Sequence, residues 1–297
     1  MMLKSGFVAI CGRPNVGKST LMNGLIKHKI AIISPKSQTT RNKIQGVLTD
    51  NDSQIIFIDT PGIHKPHNKL SENLNKMAFS ATKDVECIVL MVDGSEEFGV
   101  GDSYIIEKLK NAKVPVFLVI NKIDKLKPGT VKDLEYHYKK LYDFKKIIPI
   151  SALNLENTDM LVEEIKNILP EGPKYYPDGF LSDHPEEFVM AELIREKILY
   201  FTHDEIPHSV AVEIESIKRL KSGHLDVSAV IVVERKSQKG IVIGKNGTMI
   251  KKIGVAARKD MESLLGNKIY LSTFVKVEED WRNSSHHLKE YGYNLKE

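Results

Sequence analysis

FVAICGRPNVGKS, residues 7–19, is the stretch on which the fold of this chain turns. Phe7 to Cys11 reads as a short buried strand. Gly12-Arg13-Pro14-Asn15-Val16-Gly17-Lys18-Ser19 then fits G-x-x-x-x-G-K-[ST] and leads directly into a helix. The glycines let the backbone wrap closely around phosphate oxygens, so that successive N–H groups and the helix N-terminus face the negative charge. Lys18 is expected to reach the β- and γ-phosphates, and Ser19 to place its hydroxyl on Mg²⁺. With glycine at about 7% of residues in ordinary proteins, roughly one chain in a hundred of this size matches by chance. The strand-loop-helix setting lowers that further.

Outward from this loop, short apolar runs alternate with helical periodicity between Gly6 and Leu169: FVAIC, QIIFID, ECIVLMV, VPVFLVI and KIIPI. Buried, nearly continuous strands separated by helices predict an α/β domain with a mostly parallel sheet covered on both faces. The expected bounds are residues 1–170. Pro170, Pro173 and Pro177 suit a stiff connector over residues 171–180. A second domain, 181–297, then reads α-β-β-α-α-β. Its predicted elements are a helix from about Pro185 to Phe201, strands His208 to Lys218 and Leu225 to Arg235, a short helix around Gly240 to Ile243, a helix from Thr248 to Leu265, and a strand from Lys268 to Val277.

Three further elements of the first domain fall at strand ends, in the order a ligand needs at the carboxyl edge of an α/β sheet. Asp59-Thr60-Pro61-Gly62 ends QIIFID, where a carboxylate can hold Mg²⁺ through water and the Gly62 N–H can sense a γ-phosphate. Between it and Lys18, Gln38-Thr39-Thr40-Arg41 offers a second hydroxyl for the metal; Thr40 is the choice, with Thr39 as the alternative. Asn121-Lys122-Ile123-Asp124 follows VPVFLVI. Asp124 can accept two hydrogens from the guanine edge, whereas adenine lacks that amine, so rejection of ATP by about 10⁴-fold is expected. Lys122 would lay its stem against the base, Asn121 would tie this loop to the phosphate loop, and Ser151-Ala152 would supply a backbone N–H, that of Ala152, to guanine O6. With these motifs, the first 170 residues resemble translation-factor-type P-loop GTPases. Where Ras-like members of that class carry a water-orienting glutamine after D-x-x-G, this chain has Ile63. In related bacterial GTPases the asparagine matching Asn15 is linked to a bound monovalent cation, so K⁺ near Asn15 and a structural asparagine are both open readings. Catalytic contributions are assigned to Lys18, Thr40 and Asn15.

In the second domain Gly244-Lys245-Asn246-Gly247 forms a G-x-x-G between two predicted helices, a loop able to press backbone N–H groups and Lys245 against a sugar-phosphate chain as KH modules do. Chance alone gives about one such match in a chain of this glycine content, so the surroundings decide. Residues 235–259 hold eight basic side chains and no acidic one, while 183–217 hold nine acidic and two basic. The basic end coincides with the loop. Ile250, Ile253, Ala257, Met261 and Leu264 form the predicted buried stripe of the following helix, which leaves Lys251 and Lys252 off it. RNA contacts are therefore assigned to Gly244, Lys245, Asn246, Gly247, Lys251 and Lys252.

Taken together, GRPNVGKSTLMN, QTTR, DTPGIHKP, NKID and GKNGTMIKKIG resemble the bacterial Era family over essentially the whole chain. The resemblance implies an α/β P-loop GTPase domain followed by an α+β type II KH domain. It also implies GTP and GDP as ligands, binding to the 3′ region of small-subunit ribosomal RNA, and a role in small ribosomal subunit assembly and maturation. A cytoplasmic monomer, with peripheral association at the inner membrane in some members, completes the expectation. The rival reading is a GTP-regulated scaffold or membrane-docking protein that uses the same lysines on protein or anionic lipid.

Composition sets the outer limits. The chain has 297 residues, 41% hydrophobic and 28% charged, which excludes collagen-like and wholly disordered classes. No apolar run approaches the ~20 residues of a membrane-spanning helix. The net charge of +4 is too modest by itself to announce a nucleic-acid binder. Cys11 and Cys87 read as inert core thiols in a reducing compartment. Trp281 reads as capping the small core, with base stacking as the alternative, and His64, His67, His286 and His287 read as solvated.

Overall fold

In the computed structural model, which describes residues 3–36 and 38–293, β1 (Leu3–Gly12) runs straight into the glycine-rich loop and α1 (Lys18–Ile26) begins beyond it. There follow β2 (Ile44–Thr49), β3 (Ser53–Asp59), α2 (Lys69–Ser80), β4 (Cys87–Asp93), α3 (Val100–Leu109), β5 (Val116–Asn121), α4 (Thr130–Lys139), β6 (Lys146–Pro149), α5 (Thr158–Ile168) and the short β7 (Glu171–Gly172). The sheet order is β2-β3-β1-β4-β5-β6, with β7 paired to the start of β1. From β3 to β6 all neighbours are parallel, while β2 is an antiparallel edge. Every residue of β3, β4 and β5 is buried, as strands covered on both faces must be. Parallel register then carries the strand ends to one edge: Ile10 lies opposite Asp59, Gly12 opposite Met91, and Asp93 opposite Asn121.

Two compact units divide the chain: Met1–Ala31, Thr40–His67 and Ser71–Asp183 form one, and Ile32–Thr39, Asn68–Leu70 and His184–Glu297 the other. Residues 171–180, read from their prolines as a connector, run along the first unit. The Gln54 side chain accepts from the N–H groups of Tyr175 and Tyr176 at 2.8 and 2.9 Å and donates to the Tyr176 carbonyl at 2.9 Å. Val47 N–H then donates to Leu181 O at 3.0 Å. Proline bars a helix here, and an extended chain beside a sheet satisfies the same constraint.

The second unit contains α6 (Glu186–Phe201), the single turn α7 (Ile206–Ser209), β8 (Ala211–Arg219), β9 (Leu225–Val233), α8 (Lys236–Ile243), α9 (Thr248–Leu265), β10 (Ile269–Val277) and α10 (Ser285–Glu290). Its three-stranded sheet is ordered β10-β9-β8, with β10 parallel and β8 antiparallel to β9. The strand expected from His208 begins at Ala211, because Pro207 opens a helical turn instead. The core packs Leu193, Ile194 and Ile198 of α6 with alternate residues of β9 and with Ile253, Ala257 and Met261 of α9. Leu264, placed on the buried stripe by periodicity, is 42% exposed, and Leu265, four residues after Met261, packs against the core instead. Trp281 is fully buried and its indole N–H donates to Ser209 O at 2.9 Å, so it closes the core. Cys11 and Cys87 are buried free thiols, each pushed up to about 12 by burial. Among the described residues no helix is long and apolar enough to cross a membrane.

Candidate nucleotide site and nucleic-acid interface

At the carboxyl edge of the first sheet, a metal-type cluster forms from three elements. Ser19, in the first turn of α1, donates from Oγ to Asp59 Oδ2 at 2.6 Å and lies 2.9 Å from Thr40 Oγ1, which in turn reaches Asp59 Oδ2 at 3.4 Å. Asp59 is wholly buried at the end of β3, and its second oxygen, Oδ1, has no hydrogen-bond partner. Burial raises the Asp59 pKa, against the opposing pull of Lys18, Ser19 and Thr40. A buried carboxylate with one unsatisfied oxygen and two adjacent hydroxyls is a hard-oxygen set that fits Mg²⁺.

The phosphate loop itself is preorganised. Gly17 takes φ 104° at the head of α1, and a Cβ there would meet Asn121 Nδ2 at 2.3 Å, so only glycine fits. Lys18 is 6% exposed and donates from Nζ to Arg13 O at 2.8 Å and Gly12 O at 3.3 Å. Burial lowers its pKa, while the Asp59 charge raises it. The Arg13 side chain turns to Glu96 (2.7 Å) and Asp102 (3.0 Å), so this residue offers the site its backbone. Thr60 likewise spends its hydroxyl on Ile10 O at 2.8 Å and braces β1.

The base-side elements interlock. Asn121 donates from Nδ2 to Val16 O at 2.7 Å and accepts the Ala152 N–H on Oδ1 at 2.8 Å, joining three loops through one buried amide. The Ala152 N–H, expected to serve guanine O6, is therefore given to Asn121 in this structure. Ser151 Oγ donates to Asp124 Oδ1 at 2.6 Å, which fixes the carboxylate. Lys122 forms an ion pair with Asp93, the register neighbour of Asn121 on β4. Burial opposes the Asp93 charge, but bonds from Lys122 and Ser95 outweigh it and hold the carboxyl below its ordinary value. Asp93 was missed from the sequence, although V-D-G at a strand end was its signal.

Beyond Gly62, Ile63 donates its N–H to Gly12 O at 3.1 Å, and its side chain is 1% exposed in the core with Ala9 and Cys11. An aliphatic side chain held there can neither donate nor accept a hydrogen bond. The next residue is clamped: Asn75 on α2 accepts the His64 N–H at 3.3 Å and donates to His64 O at 2.7 Å.

The second unit presents a different surface. Between α8 and α9, Gly244 takes φ 73°, and a Cβ there would come within 2.8 Å of Met249 N. Lys245, Asn246, Lys251, Lys252, Arg258 and Lys259 are exposed, on the loop and along α9. Lys252 Nζ lies 4.2 Å from the Phe201 ring centroid. Between α9 and β10 a cavity of about 200 Å³ is lined by Ile250, Val255 and Leu271 together with Lys251 and Arg258. Apolar and cationic side chains together suit unstacked bases and their phosphates. The loop's lysines and the phosphate-loop residues lie in separate units.

Comparison with known proteins accords with both halves. Residues 7–122 match the family described as 50S ribosome-binding GTPase, and residues 205–282 match the KH domain family. The crystal structure of Aquifex aeolicus Era, a point variant bound to GDP·AlF4⁻, superimposes with a TM-score of 0.93 at 39% identity, covering 99% of this chain and 100% of that one. A structure of Era in complex with MgGDPNP and nucleotides 1506–1542 of 16S ribosomal RNA gives 0.94 at 39% identity, covering the same shares. The chain belongs to the Era family of GTPases. The Era relationship spans both units and fixes the second as a KH domain, with the α-β-β-α-α-β order and the parallel β9–β10 pair in place. Within this Era-family chain the nucleotide residues converge on one sheet edge, and the GKNG loop stands on α9.

Proposed function

We propose that this Era-family GTPase binds GTP with Mg²⁺, hydrolyses it to GDP and phosphate, and clamps the 3′ region of small-subunit ribosomal RNA through its KH loop during small-subunit assembly and maturation. The observation that carries the nucleotide half is the Ser19–Thr40–Asp59 cluster: Asp59, 40 residues in sequence from Ser19, accepts its hydroxyl on Oδ2 at 2.6 Å and leaves Oδ1 without a partner. Ser19 and Thr40 would hold the metal directly and Asp59 through water. A Mg²⁺ ion held by these residues would neutralise charge growing on the phosphate oxygens. Lys18 exchanges its two loop carbonyls for the β- and γ-phosphates, whose charge offsets the burial that depresses its pKa. Asp124, oriented by Ser151, accepts from the guanine edge, and the Lys122 stem flanks the base.

With Ile63 buried, no side chain at that position orients the attacking water, so turnover is slow unless charge is supplied another way. K⁺ beside Asn15 is the supply we propose. Phosphate release should be several-fold faster in potassium than in sodium buffer; equal rates would remove K⁺ from the mechanism. For RNA, the supporting features are the glycine-turned loop, the exposed lysines and the cavity between α9 and β10. The chain is read as a cytoplasmic monomer, in line with its two buried unpaired cysteines, with contact at the inner membrane as a secondary association.

The direct test measures phosphate release from GTP with Mg²⁺ or EDTA and an excess of ATP, alongside crosslinking to small-subunit ribosomal RNA. Mg²⁺-dependent turnover that ATP leaves untouched, with crosslinks from the GKNG loop to the 3′ region, is expected. Turnover without guanine preference would refute the first half. Crosslinks elsewhere in the RNA, or binding to anionic vesicles alone, would refute the second.

A further inference from the structure

Arg195 on α6 is fully buried, and a buried guanidinium must find partners for its fork of N–H groups. Glu192, one turn earlier, takes two of them, Nε to Oε1 at 2.7 Å and Nη2 to Oε2 at 2.6 Å. Two more go to backbone carbonyls of the stretch before Thr40: Nη1 donates to Gln38 O at 3.4 Å, and Nη2 donates to Thr39 O. Glu196, the next residue of α6, accepts the Ile33 N–H at 3.1 Å. These partners all fall in the second unit, which includes Ile32–Thr39.

The placement matters because the next residue is Thr40, whose hydroxyl sits 2.9 Å from Ser19 Oγ in the metal-type cluster. One peptide bond separates the carbonyl that Arg195 holds from the residue that presents this hydroxyl. On its other side α6 packs against α9, the helix that follows the GKNG loop, through Leu193, Ile194 and Ile253. Lys197 of α6 pairs with Asp260 of α9 at 2.5 Å, and Lys252 of α9 lies over Phe201 of α6. Helix α6 thus has one end of a charged network on the Thr39 peptide and another on the helix that carries the RNA lysines.

We propose that Arg195 is a positioning residue for Thr40, and that through it GTP·Mg²⁺ binding and the RNA-binding helix pair α6–α9 bias each other. The inference rests on the GTPase reading above and adds the route of coupling. The γ-phosphate and its Mg²⁺ call on the Thr40 hydroxyl, whereas a diphosphate does not. Holding the Thr39 carbonyl prepays the ordering of that hydroxyl, so the tie favours the triphosphate selectively. Lysine could keep the charge beside Glu192, but its three N–H donors cannot make the four bonds that the Arg195 fork makes to one carboxylate and two carbonyls.

The experiment uses the full chain with Mg²⁺ and compares wild type with Arg195→Lys. Since a disturbed buried pair can unfold a protein, the double variant Glu192→Leu, Arg195→Met, which removes both charges together, accompanies it. Affinities for a non-hydrolysable GTP analogue and for GDP are measured, each with and without a 3′ small-subunit ribosomal RNA segment, and folding is checked by thermal melting. Either folded variant should bind the GTP analogue about tenfold more weakly, as expected for a lost bond to a charged group. GDP affinity should hold. The factor by which the GTP analogue changes RNA affinity should move towards one, and the reciprocal factor with it. Folded variants that keep the wild-type ratio of GTP-analogue to GDP affinity would overturn the proposal while leaving the GTPase reading intact, and so would an equal loss for both nucleotides, which marks a merely structural arginine. Wild type that binds neither nucleotide would overturn both.

Discussion

The two ligand regions of this chain are built on opposite principles. At the nucleotide edge the working side chains are buried and bonded to one another: Asp59 and Ser151 are fully buried, Asn121 is 3% exposed, and each has a fixed partner. Around the GKNG loop the lysines stand in solvent on a scaffold of two helices, with backbone geometry set by glycine. Low dielectric and fixed donors give discrimination between closely similar small molecules. Exposed cations give affinity that depends on salt and tolerates a long, flexible polymer. The same net charge of +4 thus serves two tasks because of where the charges are placed.

Breaking each side should expose that contrast. The largest loss is expected for Lys18→Ala, which removes a buried cation from a polyanion: GTP affinity should fall by ~10²–10³ in a titration with labelled nucleotide. RNA affinity without nucleotide should stay at the wild-type level, and a parallel loss would contradict two independent sites.

Next in size is Lys245→Asp with Asn246→Asp. RNA affinity near 0.15 M salt should drop by about tenfold or more, and the slope of log affinity against log salt should shallow by about one. GTP turnover without RNA should be unaffected.

The smallest effect concerns the two buried thiols of β1 and β4. Their native pKa of about 12 lies above the ordinary value of 9.0. A group raised on folding contributes stability below its unfolded pKa and loses it as pH climbs towards the folded one. Stability should therefore be flat below pH 9 on their account and decline between about pH 9 and 12. At pH 8 both cysteines should resist a thiol reagent until the chain is unfolded, and rapid labelling of native protein would contradict their burial.

Much of the fold was legible because it rests on local signals. The strand runs QIIFID and VPVFLVI, the G-x-x-x-x-G-K-S turn and the helix from Thr248 each carry their own periodicity or punctuation. Features that depend on pairing at a distance were hidden. Strand β2 is a modest IQGVLT whose partner is chosen by the antiparallel register with β3. Asp93 becomes an anchor only once β4 lies beside β5. Arg195 and Glu192 read as ordinary charges on an amphipathic helix, and nothing in their spacing announces that both are buried. The Ala152 N–H illustrates the reverse case: the loop was located from sequence, but which acceptor it faces depended on the rotamer of Asn121, thirty-one positions away.

The selection of guanine proposed for the carboxylate of Asp124 would join the site geometry to the activity. The most direct measurement is the affinity of wild type and Asp124→Asn for GTP, ATP and xanthosine triphosphate, whose base bears a carbonyl where guanine has its amine. Wild type should prefer GTP over ATP by about 10⁴-fold, and the variant should lose GTP affinity while gaining the xanthine nucleotide through its new amide donor. An Asp124→Asn protein that keeps the wild-type preference for GTP would contradict this reading of the site.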